Sequence, residues 1–120
     1  MVRQDLSIRQ GDVYWTDFPD LGGSEPSGSR PAVIIQGDHV NRSRIATCIV
    51  CPITSNLVRE HSVGNVRLAK REANLPRPSV VIVSQISTVD RSRLLELIGT
   101  LSPARVDEII VGINLILAST

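Results

Sequence analysis

Gly11-Asp-Val-Tyr-Trp-Thr-Asp-Phe18, the loop from Asp20 to Arg30, and Pro31-Ala-Val-Ile-Ile-Gln36 decide the fold class. In the first segment Val13 and Trp15 alternate with Tyr14 and Thr16, and its aromatics favour strand over helix. Pro19 ends it and opens the stretch richest in glycine and serine, with Gly22, Gly23, Ser24, Pro26, Ser27, Gly28 and Ser29. No helix or regular strand survives that composition, so a mobile surface loop is expected. Loops of this length in a small domain are mostly lids or binding loops, with a plain linker as the alternative. Pro31 to Gln36 is a short apolar run, read as a buried strand that starts after a proline.

Further on, Ile45-Ala-Thr-Cys-Ile-Val-Cys-Pro-Ile53 is a β-branched run closed by Thr54-Ser55-Asn56, and the polar segment before it holds one helical turn. Val63 to Leu68 reads as a weaker strand and Ser79 to Val83 as a strong one, which Gln85 to Val89 continues. Leu94 to Ile98 fits strand or helix. The last element is the clearest helix: Ser102 caps it, Pro103 takes the first helical position, and Asp107 and Glu108 lie in its first two turns. Val106, Ile109, Ile110, Ile113 and Leu117 form a stripe that packs on the sheet. Val111, Leu115 and Ile116 lie off it, which suits cover on a second side by another subunit. Residues 1–120 thus read as one mostly antiparallel β domain with a C-terminal helix.

The 120 residues carry 13 Lys+Arg against 12 Asp+Glu, a net charge of +1 that excludes a strongly basic DNA-coating protein but leaves room for a local RNA site. No apolar run reaches the roughly 20 residues of a membrane span. The start, Met1-Val-Arg-Gln-Asp-Leu6, lacks the apolar centre of a signal peptide, so a cytoplasmic protein is expected. His39 and His61 form no HxH or HExxH pairing, so no metal and no cofactor is expected. Cys48-Ile-Val-Cys51 has zinc or redox spacing, yet on a strand residues three apart face opposite ways, and buried structural cysteines are expected. Nucleophile elbows and phosphate-binding glycine loops are absent. Arginine remains: there are twelve, with one lysine, and Arg30 stands where the glycine-rich loop meets a strand. A planar guanidinium there suits a bidentate grip on phosphate.

Gly11-Asp-Val-Tyr-Trp15, Gly23-Ser-Glu-Pro-Ser-Gly-Ser-Arg-Pro-Ala-Val-Ile-Ile35, Asn41, Pro52-Ile-Thr-Ser55 and Ser79-Val-Val-Ile-Val-Ser-Gln-Ile-Ser-Thr-Val-Asp-Arg91 together resemble the MazF/PemK toxin family. The resemblance implies an SH3-like β-barrel with a C-terminal helix, paired as a homodimer. It implies a metal-independent endoribonuclease acting on single-stranded RNA at short motifs, restrained by a cognate MazE-like antitoxin. The family cuts by attack of the ribose 2′-oxygen on phosphorus, leaving a 2′,3′-cyclic phosphate and a 5′-hydroxyl. It places the functional arginine at Arg30 and the functional threonine at Thr54, with Glu25, Ser29, Ser55, Asn56 and Gln85 as the RNA-binding set.

Arg30 and Thr54 would supply donors to the phosphorane oxygens, where one such donor is worth about 3 kcal/mol. Arginine stays protonated near neutral pH, so electrostatic stabilisation is expected rather than base catalysis. Glu25 is expected to order the loop through an ion pair, Asn41 to pin a turn, and Gln85 to read a base edge or satisfy backbone groups. Some members carry an Arg-x-Asp pair before that glutamine and a basic residue two positions after it. Here the positions are Ile82, Ser84 and Ser87, so that version of the chemistry does not carry over. The same barrel also serves a gyrase-poisoning toxin, which leaves a non-catalytic gyrase poison or antitoxin-binding module as the alternative.

Overall fold

The computed structural model describes residues 8–119; the N-terminal residues 1–7 read above for a signal peptide lie outside them. The elements run β1 (Asp12–Phe18), β2 (Gly28–Ile34), α1 (Asp38–Asn41), β3 (Thr47–Thr54), β4 (Val66–Leu68), β5 (Ser79–Val81), β6 (Ser87–Asp90), β7 (Leu94–Thr100) and α2 (Pro103–Leu117). The strands form one antiparallel sheet in the order β4-β5-β3-β2-β1-β7, with β6 also paired to β3. The sheet curls into a half-barrel. Its gap is spanned by the segment between β4 and β5: the Asn74 amide donates to the Ile98 carbonyl at 2.9 Å, and Gly99 lets the Ala73 backbone press against β7.

Alternation sorts the side chains onto two cores, as period-2 strands require. Val13, Val33, Cys51, Ile53 and Val81 join Ile109 and Ile113 of α2 on one face. Tyr14, Phe18, Ala32, Ile34, Cys48 and Val50 pack together on the other. The two cysteines therefore fall in different cores, and burial pushes their thiols up to about 11 for Cys48 and about 12 for Cys51. The helix start matches its sequence signal, since Ser102 Oγ accepts the Arg105 N–H at 3.2 Å.

Three expectations change and one open alternative is settled. β2 starts at Gly28, three residues before Pro31, because Gly28, Ser29 and Arg30 pair with Phe18, Asp17 and Thr16 of β1. A backbone ladder needs no particular side chains. Gln85 to Val89 does not extend β5 directly: five residues (82–86) face only Cys51 and Pro52, and the surplus coils into a 3-10 turn at Val83–Gln85. Pro52 has no N–H to continue the ladder there; its carbonyl accepts the Ile82 N–H at 3.0 Å. The ambiguous Leu94 segment is strand β7, paired to β1. On α2, Ile116 is partly buried against the core, whereas Leu117 closes the helix 70% exposed beside exposed Val111 and Leu115.

Candidate functional site

The site is set by the register of three strands. β1 pairs Thr16 with Arg30, and β2 meets β3 at Ala32↔Pro52, Val33↔Cys51 and Ile34↔Val50. That ladder ends two residues short of Arg30 on β2 and of Thr54 on β3, and β5 pairs Val80 with Thr54. Arg30 lies on the Ala32–Ile34 face of β2, and Thr54 on the Cys48–Val50 face of β3, which are one face of the sheet. The β2–β3 ladder stops at Ala32 and Pro52, and Pro31 brings no N–H to prolong it, so Arg30 and Thr54 lie just beyond the point where the strands part.

Arg30 is half-buried, and its Nε–H is buried with no partner. Thr54 Oγ1 accepts the Asn56 N–H at 3.1 Å, which fixes the hydroxyl oxygen while its own proton remains available to donate. Asn56 Oδ1 in turn accepts the Val58 N–H at 3.3 Å and caps the 3-10 turn Leu57–His61. Half of its amide is thus a structural cap. Ser55 and Ser29 are exposed, Ser29 one step from the parted strands and paired to Asp17.

The loop of residues 19–27 reaches the turn after β5. Gln85 Nε2 donates to the Ser24 carbonyl at 3.5 Å, and a cavity of about 530 Å³ lies between Gly23–Pro26 and Ser84–Ser87. Gln85 Oε1 is buried without a partner. Among the described residues only Arg30 Nε, Gln85 Oε1 and Arg91 Nε share that state. Two of the three belong to the residues singled out in the sequence, and an unpaired buried polar atom is costly unless a ligand or water completes it.

Glu25 departs from expectation. Its carboxylate folds back over Gly23, and among the described residues it has no ion-pair partner. Arg93, in the turn between β6 and β7, reaches Asp17 at 3.3 Å. Asn41 does pin its turn: fully buried, it accepts from Gln36 Nε2 at 2.9 Å and donates to the Gln36 carbonyl at 2.8 Å. Ile82 is 1% exposed, so an arginine there would be buried. Ser84 is exposed, and Ser87 Oγ donates to the Gln85 carbonyl at 2.8 Å. His39 and His61 stand exposed, and among the described residues no three His, Cys, Asp or Glu side chains gather.

Sequence reasoning missed a second cavity of about 480 Å³ that shares Thr54 and Ser55 with this site and adds Trp15, Asn74 and Arg77. The available signals were the only tryptophan, on a strand legible in the sequence, and an arginine set between two prolines, Pro76 and Pro78. No helix of the described residues is long and apolar enough to cross a membrane.

Residues 9–117 match the model of the PemK-like, MazF-like toxins of type II toxin–antitoxin systems. The chain is 36% identical over 112 residues to endoribonuclease MazF6 of Mycobacterium tuberculosis, covering 93% of this chain and 98% of that protein. It is 38% identical over 102 residues to endoribonuclease MazF of Staphylococcus epidermidis, covering 85% and 84%. A mycobacterial endoribonuclease solved in complex with its cognate antitoxin superposes with a TM-score of 0.74 at 22% identity, over 95% of this chain and 98% of that one, a likeness of fold.

Proposed function

The chain belongs to the PemK-like, MazF-like toxin family, and on that premise we propose that it is a metal-independent endoribonuclease that cuts single-stranded RNA in the cytoplasm. It works as a homodimer, restrained by a MazE-like antitoxin whose acidic, apolar-anchored tail folds into the RNA groove. The relatives named as endoribonucleases support the reaction class. The observation that best supports this site is that Arg30 and Thr54 lie on one sheet face just past the last β2–β3 pair, with the Arg30 Nε–H buried and unpaired.

The chemistry follows from those donors. The ribose 2′-oxygen attacks the adjacent phosphorus, a 2′-O–P bond forms and the P–O5′ bond breaks. The products are a 2′,3′-cyclic phosphate and a 5′-hydroxyl, so no water is consumed. The 2′-hydroxyl loses its proton and the departing 5′-oxygen gains one. Arg30 stays cationic and places N–H donors on the equatorial oxygens, while the Thr54 hydroxyl donates to the same developing charge. Gln85 Oε1 accepts from a base edge, and Glu25 on its loop lies across the same cavity. Single-stranded RNA suits this site because its bases splay and in-line attack can be imposed.

Incubation with a long single-stranded RNA in excess chelator tests the reading. Cutting is expected at a short motif with 2′,3′-cyclic phosphate ends. Arg30→Ala should lower the rate about a hundredfold or more with the fold intact by circular dichroism. Full cutting by that variant, or intact RNA with the folded wild-type dimer, overturns it. The gyrase-poison alternative predicts the second of those results.

A further inference from the structure

We propose that the cavity between Trp15 and Arg77 seats the nucleobase next to the scissile phosphate, and that these two residues set base choice at that position. The inference rests on the nuclease reading, since it adds a specificity seat to the same site.

Three observations carry it. The first is continuity: the cavity of about 480 Å³ has Thr54 and Ser55 in its wall, so whatever fills it adjoins the group held by the Thr54 hydroxyl. Trp15, Pro31 and Ile53 lie on the opposite sheet face from Arg30, and the strands part between them. A strand of RNA turning around that gap would have its phosphate on one side and its base on the other.

The second is chemistry. Trp15 is 40% exposed on a strand whose other apolar side chains are buried, and with Pro31 and Ile98 it lines the cavity as a flat apolar wall. A base stacks on indole whatever its identity, while its edge needs polar partners. Asn74 supplies one: its amide nitrogen is engaged by Ile98, leaving Oδ1 to accept. Arg77 is exposed on the cavity wall and has no ion-pair partner among the described residues. A free guanidinium beside an aromatic wall matches a base and the phosphate that follows it.

The third is rigidity. Arg71, Ala73 and Asn74 all have positive φ (76°, 49° and 61°), a costly run for residues with side chains. It persists because neighbours over-determine it. Glu72 accepts from Arg105 Nη2 at 2.7 Å and from the Ala69 N–H at 2.8 Å, and Ser79 Oγ donates to the Arg77 carbonyl at 2.9 Å. The wall is built before a ligand arrives.

Trp15 is the only tryptophan, so the full-length protein reports on the seat directly. The probe is a single-stranded oligonucleotide carrying the cut motif, with 2′-deoxyribose at the cut position so that it binds uncut. Its binding is followed by anisotropy and by Trp15 fluorescence. We expect quenching with the same midpoint as the anisotropy change. An abasic residue at one position flanking the cut should abolish the quench and weaken binding at least fivefold. Arg77→Gln should weaken binding and flatten the logarithmic salt dependence by about 0.7.

RNA that binds by anisotropy with Trp15 fluorescence unchanged overturns the seat alone, as does a cut motif unaltered in Trp15→Ala. Quenching by an apolar antitoxin peptide but not by RNA overturns it too, assigning the cavity to that partner. RNA that neither binds nor is cut overturns the nuclease reading, and the seat with it.

Discussion

Two connections frame the end of β3, and they are built on opposite principles. The loop of residues 19–27 between β1 and β2 is rich in glycine and serine and largely exposed, and among the described residues one long hydrogen bond, from Gln85 to the Ser24 carbonyl at 3.5 Å, ties it to the rest of the molecule. Its other hydrogen bond, from the Gly22 N–H to Asp20 Oδ1 at 2.9 Å, is local. The segment of residues 69–78 between β4 and β5 holds three left-handed side-chain-bearing residues. It is fastened to α2 through Glu72 and Arg105, and to β7 through Asn74 and Ile98. The contrast separates adaptation from preorganisation. A loop with one weak tie can close around substrates at little cost, whereas a strained and over-tied wall keeps its shape.

The sharpest way to break the contrast is Gly99→Ala. A Cβ at position 99 would collide with the Ala73 backbone, which cannot swing aside as a side-chain tip would. Overpacking of that kind costs about 1–3 kcal/mol, or roughly 4 °C of Tm for each kcal/mol in a chain of this size. Thermal unfolding followed by circular dichroism checks it. An unchanged Tm would mean that the 69–78 wall yields, and that it is no firmer than the glycine-rich loop.

Glu72→Gln should cost less, about 1–2 kcal/mol, by breaking the paired contact to Arg105. The hydrogen bond from Arg105 is the main cause holding the Glu72 carboxyl below its ordinary 4.5. A carboxylate whose folded-state pKa is depressed stabilises above its unfolded value and loses that contribution as pH falls through the folded value. The Tm gap between wild type and variant should therefore be full at neutral pH and close progressively below about pH 4.5. A gap that persists at low pH would assign the loss to packing rather than charge.

The same contrast explains what the sequence could show. The α2 start was legible because Ser102 and Pro103 act within one turn of each other. The two cysteines separated correctly because strand alternation is local. The 3-10 turn at 83–85 was not legible, since its cause is Pro52 on another strand, and the early start of β2 rests on backbone pairing with β1. Within the site, Arg30 and Thr54 came from motif positions, but their sharing one sheet face at the end of the β2–β3 ladder depends on a register that pairs Ala32 with Pro52. The ion pair expected for Glu25 is absent among the described residues: Arg30, the one cation of its stretch, belongs to strand β2. Trp15 and Arg77 escaped notice because they are distant in sequence and meet only where the half-barrel closes.

Gln85→Ala is the smallest and most discriminating change. Its only bond to the loop is long, and its other amide atom is buried without a partner. Removing the side chain gives up little and relieves an unsatisfied group, so stability should stay within about 0.5 kcal/mol of wild type. On the proposed reading, in which the orphaned Oε1 accepts from a base, affinity for the motif-bearing RNA should nonetheless fall severalfold. Measured together, Tm and Kd separate the two roles of the residue. A Tm loss of several degrees would show that this single contact holds the loop as firmly as Glu72 and Asn74 hold the opposite wall. The division between an adaptable side and a rigid one would then fail.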